Sequence, residues 1–391
     1  MSDPGASDRH PARREIGVYR TLFHMPDDLA YFNTASMAPA LHSVHEAGRL
    51  ALDRVASPWE ISSDDWFDDV EVLREGFAAL VGADDDAIAF VPSCSYGLAV
   101  AARNLSARAG DRVLVLAEEF PSNFYTWRRF CIHTGAEIVE VHRDAELGWT
   151  ASILAAIDRR TRVVAVPRVH WTNGALIDLH QVSAAARAVG AALVVDASQS
   201  LGAFPHDLRT IRPDFLVAVG YKWLLGPLGF SYLYVDEAHR DGEPLEENWI
   251  NRAGSEQFAG LVRYTDTYRA GSRRFDFGER TAFAQVAMAV AAVEQLGRWG
   301  IEGVASALRE VTDEICDRAG QLGLSVPAPN ERGPHMLGLE IPKERGLALE
   351  EQLEKRGVMA SVRGDSLRLA PHLHVTHRDI DRLIDGIAAA L

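Results

Sequence analysis

Cysteine is scarce in this chain: of 391 residues only Cys94, Cys131 and Cys316 carry a thiol. Their spacing matches no metal-binding pattern, and three thiols cannot pair evenly as disulfides. That usage points to a reducing compartment, with the cytoplasm as the expected location. No apolar run is long enough to cross a bilayer, and no membrane partner is expected. The first twenty residues have no apolar core and mix Asp3, Asp8, Arg9, Arg13, Arg14 and Glu15, so they do not read as a secretory signal. Positive charge is also short. Lys plus Arg is 40 against 55 for Asp plus Glu, a formal net charge of −15, which disfavours nucleic acid and anionic membrane. There is no dinucleotide-type glycine fingerprint, no Gly-Lys-Ser/Thr phosphate loop, no internal repeat and no low-complexity tract. The expected ligand is therefore small.

What is present is an ordinary globular composition, 47% hydrophobic and 24% charged, in a chain long enough for two or three domains. From Tyr31 to Asp236, strand-like runs such as Val113–Leu116, Ile138–Val141, Val163–Val166, Leu193–Val195, Phe215–Val219 and Tyr232–Val235 alternate with helical patterns. That alternation implies right-handed crossovers and a mainly parallel sheet. After residue 284 two long helical segments lead into short strands and helices that read as a smaller α/β domain. The expected division is a polar tail or subunit-embracing arm over 1–25, a large domain over 26–260 and a small C-terminal domain with connecting helices over 261–391. Residues 237–280 have no clean period and read as a linker or an active-site wall. His372, His374 and His377 match no usual zinc spacing and are expected at the surface. No metal site is expected.

Two charges stand at the ends of apolar runs. Ala191–Val195 ends in Asp196, and Phe215–Val219 is followed by Gly220, Tyr221 and Lys222. Such runs read as strands buried on both faces, and ligands of parallel sheets bind outside the carboxyl ends of the strands. A charge there needs a partner. Taken singly, Asp196 also fits a helix cap and Lys222 a solvated lysine. Similarly, Pro92-Ser93-Cys94-Ser95-Tyr96-Gly97 lies between a strand-like run and an Ala-rich helix. It is either a plain N-cap or a helix N-terminus open to phosphate.

The segment Asp196-Ala197-Ser198-Gln199-Ser200-Leu201-Gly202, followed by Gly220-Tyr221-Lys222-Trp223-Leu224-Leu225-Gly226-Pro227, resembles the cofactor core of the class V aminotransferase family. This branch of the fold-type I pyridoxal phosphate enzymes includes cysteine desulfurases, kynureninases and isopenicillin epimerase-like proteins. The resemblance runs from Tyr31-Phe32-Asn33-Thr34-Ala35 to Leu367-Arg368-Leu369-Ala370-Pro371-His372. It implies a three-layer αβα large domain with a mainly parallel sheet, a smaller C-terminal α/β domain, pyridoxal 5'-phosphate as cofactor, an amino acid as substrate and a homodimer.

By the same resemblance Lys222 would form the internal aldimine and carry the substrate Cα proton, and Asp196 would pair with the cofactor ring nitrogen. Cys94, Ser95 and Tyr221 would contact the phosphate, and Gln199 the phenolic oxygen. Phe120 stands where desulfurases carry a ring-stacking histidine; it can stack but cannot relay a proton. Arg368 matches the arginine that grips the α-carboxylate, a task suited to a planar guanidinium. Trp171, Thr172, Asn173 and Asn33 would line the substrate space. Glu279 replaces the usual threonine of a loop that reaches a neighbouring subunit's phosphate, leaving Arg280 or Thr281 for that contact. Residues 359–368 contain no cysteine, which argues against persulfide-forming desulfuration. Transamination comes first among the expected reactions, before a lyase reaction (β-elimination, C–S cleavage or kynureninase-like) and then racemisation or epimerisation. All share a quinonoid intermediate. The non-enzyme alternative is a catalytically silent cofactor-binding protein.

Overall fold

The computed structural model describes residues 16–341 and 345–390. The strands among the described residues are β1 (Ala30–Tyr31), β2 (Ile88–Val91), β3 (Arg112–Leu116), β4 (Glu137–Val141), β5 (Thr161–Pro167), β6 (Ala192–Asp196), β7 (Phe215–Val219), β8 (Ser231–Val235), β9 (Leu337–Glu340), β10 (Val358–Met359), β11 (Ser361–Arg363) and β12 (Ser366–Leu369). The seven-stranded sheet has the order β2-β8-β7-β6-β5-β3-β4. All its pairs are parallel except those of β8, which runs antiparallel to β2 and β7.

Strand alternation builds two cores. Leu193 and Val195 of β6, with Leu216 and Ala218 of β7, join the apolar faces of helices Asp68–Val81, Leu179–Val189 and Phe283–Trp299. Val194, Phe215 and Val217 point the other way, toward helices Cys94–Asn104 and Pro121–Thr134. Helices therefore cover both faces, the αβα sandwich expected of a buried parallel sheet. Local signals set the helix ends. Asp178 accepts the His180 and Gln181 amides, and Gly190 closes that helix at φ +75°.

The smaller unit pairs β11, β12 and β9 antiparallel and packs them against helices Gly346–Lys355 and His377–Ala388. Thr376 and Asp379 form a reciprocal capping box at the last helix. Helix Phe283–Trp299 and Leu308 belong to the large core, whereas Val311, Ile315 and Cys316 of the same Ile301–Gln321 helix belong to the small one. β1 pairs with β10, so Ala30 and Phe32 also join the smaller unit. The long reach follows from an amphipathic helix offering apolar residues to both cores.

The tail expected over 1–25 lies outside the described residues up to 15. Residues 16–25 lie on their own chain. Arg20 forms an ion pair with Asp379 at 2.7 Å and donates to the carbonyls of Pro26, Leu29 and His374, while Phe23 packs on Trp299.

Candidate active site

The carboxyl ends of β5, β6 and β7 open into a cavity of about 330 Å³, with Asp196, Lys222, Phe120, Trp171 and the Pro92–Ser95 turn in its wall. β6 delivers Asp196, which is 6% exposed and accepts the Ser198 amide at 3.0 Å through Oδ1. β7 runs into Gly220, where a side chain would strike the Phe230 carbonyl, and the turn sets Lys222 inside at 7% exposure. Burial lowers the Lys222 pKa; the charge of Asp196 opposes that and the charge of Arg368 adds to it. Lys222 is therefore a buried amine rather than a solvated one.

Helix Cys94–Asn104 meets the cavity with its N-terminus. Ser93 caps it by accepting the Tyr96 amide at 3.2 Å, and Ser93, Cys94 and Ser95 line the wall. The first helical amides have no intrahelical acceptor and suit a phosphate. Gly97 lets the helix lie on the sheet, since a Cβ there would sit 2.6 Å from Val217 Cγ2. The Cys94 thiol is fully buried and held well above its usual range by burial and then by Asp196, so it stays protonated.

Phe120 and Trp171 meet edge to face at 5.5 Å, and the Phe120 ring centroid lies 5.5 Å from Lys222 Nζ. Tyr221 is half-buried, its ring 5.9 Å from the same amine. The Gln199 side chain is fixed by Trp223 Nε1, which it accepts at 3.0 Å, and by the Ala35 carbonyl, to which it donates at 3.0 Å. One amide hydrogen is left for a ligand.

Arg368 lies beside this centre on β12 and is buried, as are its neighbours Leu367 and Leu369. It donates to the Trp171 carbonyl at 3.0 Å, Ser36 Oγ at 2.8 Å and Asn33 Oδ1 at 3.2 Å; its Nε has no partner among the described residues. Burial and then Arg363 lower it to about 10, so it remains charged at neutral pH. Residues 30–38 link the site. Ala30 and Phe32 pair with the β10 region, Asn33 and Ser36 hold Arg368, the Ala35 carbonyl holds Gln199, and the Ala38 amide donates to the Tyr221 carbonyl.

The remaining candidates lie elsewhere. Thr172 binds its hydroxyl to His170, and Asn173 accepts the Ala175 amide beside a separate cleft that includes Arg143 and Arg332. Thr281 donates to the Trp66 carbonyl. Arg280 is buried 3.4 Å from Asp276 and over the Phe67 ring, and its three nitrogens lack hydrogen-bond partners among the described residues.

The surface placement expected for the histidines holds for His377, which is exposed and pairs with Glu314 at 2.9 Å. It fails for His372 and His374. Both are fully buried against Phe23, and His372 also meets Trp223 and Trp299. Neutral imidazoles pack there as aromatic rings, a role that spacing alone does not reveal. Among the described residues no cluster suited to a metal occurs.

Sequence reasoning passed over Glu119, Ser36 and Ser198. Glu119 and Ser198 line the cavity, and Ser36 supports Arg368. The signal for Glu119 was its place at the carboxyl end of β3, the same position that singled out Asp196. The amine, the buried carboxylate opposite, the aromatic wall and the helix N-terminus together suit pyridoxal phosphate. They provide for an aldehyde, a ring nitrogen, a flat ring and a phosphate, with Gln199's remaining amide hydrogen for a ring oxygen.

The family profile described as "Aminotransferase class-V" matches residues 38–378. The chain is 29% identical over 320 residues to "Uncharacterized aminotransferase YcbU" of Bacillus subtilis (strain 168), covering 82% of this chain and 83% of that protein. It is 27% identical to isopenicillin N epimerase of Streptomyces clavuligerus, covering 81% of this chain and 83% of the relative. Kynureninase of Geobacillus thermodenitrificans (strain NG80-2) is 23% identical, with 90% and 86% covered. Among solved structures, the cystine C-S lyase C-DES bound to cysteine persulfide superposes with a TM-score of 0.83 at 20% identity, over 93% of this chain and 98% of that one. An apo cysteine desulfurase from Thermococcus onnurineus NA1 gives 0.82 at 18% identity, over 97% and 98%. At these identities the solved structures establish the fold.

Proposed function

The chain belongs to the class V aminotransferases, which are pyridoxal phosphate-dependent enzymes, and from that premise we propose that it is an aminotransferase acting on an α-amino acid. The observation that carries this reading is the buried Lys222 amine in one cavity with Asp196, with Arg368 close enough for its charge to act on that amine. Bound, pyridoxal phosphate supplies an electron sink for the charge left at the substrate Cα when its proton departs.

The protein's own groups do the rest. Lys222 Nζ would hold the cofactor and carry the Cα proton, a task that needs an amine able to lose its charge. Asp196 would face the ring nitrogen. The amides of Cys94 and Ser95, their side chains and Tyr221 would hold the phosphate, and Gln199 would donate to the ring oxygen. Phe120 would pack on the ring, and with Trp171 it would keep water from the reacting carbon. Arg368, pre-aimed by Asn33, Ser36 and the Trp171 carbonyl, binds both carboxylate oxygens of the substrate.

A lyase is the second reading: β-elimination or C–S cleavage without a persulfide would need no cysteine thiol, and Phe120-Pro121-Ser122 with Tyr221 resembles the kynureninases. We also propose a homodimer, with the exposed Tyr264, Val262 and Trp59 on covered surface, and a cytoplasmic location in keeping with three buried, unpaired thiols.

The test is a panel of amino acids, assayed with and without a keto-acid acceptor, reading keto acid, ammonia and sulfide. Acceptor-dependent keto acid supports transamination. Ammonia or sulfide without acceptor replaces it with the lyase reading.

A further inference from the structure

A second buried carboxyl faces the cavity and has no part in the roles above. Glu119 is 8% exposed and follows β3 on a turn whose preceding residue, Glu118, stands at φ +56°. Trp171 Nε1 fixes that turn by donating to the Glu118 carbonyl at 2.8 Å. A left-handed backbone at a non-glycine residue costs energy and is kept where the surroundings impose it. Here it turns Glu119 inward. Glu119 Oε1 accepts the Phe120 amide at 2.7 Å, while Oε2 is buried without a well-formed hydrogen bond among the described residues; the Asn123 side chain lies against the carboxyl and, with the Phe120 amide, opposes the effect of burial. Asp196 lines the same cavity. Two carboxylates sharing a site with little water cannot both keep their charge.

We propose that Glu119 is a positioning residue for the cofactor ring, the proton-carrying member of a carboxyl pair with Asp196 that leaves a single negative charge at the ring-nitrogen end of the cavity. This rests on the pyridoxal phosphate reading, with Asp196 at the ring nitrogen. Burial, and then the charge of Asp196, push the Glu119 pKa up to about 8, in keeping with a protonated side chain at neutral pH. The other titratable groups in the cavity wall are Lys222, Tyr221 and Cys94. Burial lowers the first and raises the other two, and Arg368 acts on Lys222 from β12. Asp196 is therefore the charge that sets Glu119. Glu119 also directly precedes Phe120, so its hold on the Phe120 amide fixes the start of the ring-stacking residue.

The experiment follows the cofactor absorbance band of the holoenzyme from about pH 6 to pH 10 in the wild type, Glu119→Gln, Glu119→Ala and Asp196→Asn. The wild type should show a transition above the ordinary carboxylate range, and Glu119→Gln should lose it while any transition due to Lys222 persists. In Asp196→Asn the Glu119 transition should move to lower pH, since the neighbouring charge is gone. Glu119→Ala should weaken cofactor binding about fivefold or more at neutral pH, an effect of one lost hydrogen bond, with Glu119→Gln restoring it. A Glu119→Gln enzyme that titrates like the wild type overturns the proposal and leaves the cofactor assignment standing. A wild type with no cofactor band sinks both. An infrared difference spectrum of the unmutated holoenzyme across the same pH range needs no variant. Loss of a protonated-carboxyl stretch on raising the pH supports the pair, and its absence refutes it.

Discussion

The deepest test of this architecture is Asp276→Asn, far in sequence from the cavity but tied to its phosphate end. Asp276 Oδ1 accepts the Phe90 amide at 2.7 Å and Arg74 NH1 at 3.2 Å, and Oδ2 takes Arg74 NH2 at 2.6 Å. Both side chains of the pair are fully buried. Arg74 also donates to the Ile88 carbonyl at 2.6 Å, so the pair grips β2 at two points just before Pro92 and Ser93. Asparagine is nearly isosteric but turns one oxygen into a donor facing Arg74, and it takes from Arg74 and Arg280 the fully buried carboxylate they share, leaving Arg74 only the partly exposed Glu71. Breaking a buried pair on one side costs about 3–5 kcal/mol, most of it the unpaired charge. Urea unfolding of the holoenzyme should therefore show a loss of that size, and cofactor affinity should fall with it because the N-terminus of helix Cys94–Asn104 hangs from β2. A loss below about 1 kcal/mol in Asp276→Asn would refute the claim that this pair sets β2.

Four further outcomes follow from the same geometry. Lys222→Ala should abolish turnover and prevent borohydride from fixing the cofactor to the protein; because the chain has only two other lysines, Lys343 and Lys355, peptide mass mapping identifies the site directly. Arg368→Ala should raise KM for an α-amino acid about 10- to 100-fold, the worth of a lost charged hydrogen-bond pair, with little change for an amine lacking the carboxylate. Gly97→Ala, with its Cβ 2.6 Å from Val217, should cost roughly 1–3 kcal/mol of stability by overpacking, seen as a lower urea midpoint. Glu119, whose folded pKa of about 8 lies above its usual 4.5, holds a proton that the unfolded chain releases. Its contribution to the stability of the apo protein is complete below 4.5 and falls as the pH rises to about 8. The slope is about 1.4 kcal/mol per pH unit, and Glu119→Gln should remove it from the urea stability–pH profile.

The αβα fold and the meeting of Asp196 and Lys222 in one cavity were legible because a buried parallel sheet leaves a plain trace. Runs such as Leu193–Val195 and Phe215–Val219 are apolar on both faces, so a charge at their carboxyl ends stands out. Glu119 escaped notice because it follows another glutamate, and a Glu-Glu pair reads as solvated surface; its inward turn depends on the Glu118 backbone, which residue types do not announce. The buried His372 and His374 were misplaced for the converse reason, as a polar residue type packed among rings supplied by Phe23, Trp223 and Trp299, all distant in sequence. The assignment of helix Phe283–Trp299 to the large core was hidden because an amphipathic pattern states that a helix packs, not what it packs against.

The segment from Ala30 to Ala38 has a mechanical consequence. It joins the smaller unit through β10, grips the Arg368 guanidinium, anchors the Gln199 amide and touches the residue before Lys222. On the proposed function, a displacement of this ribbon would disturb the Arg368 guanidinium and the Gln199 amide together, so the two ends of the cavity would share one mechanical support.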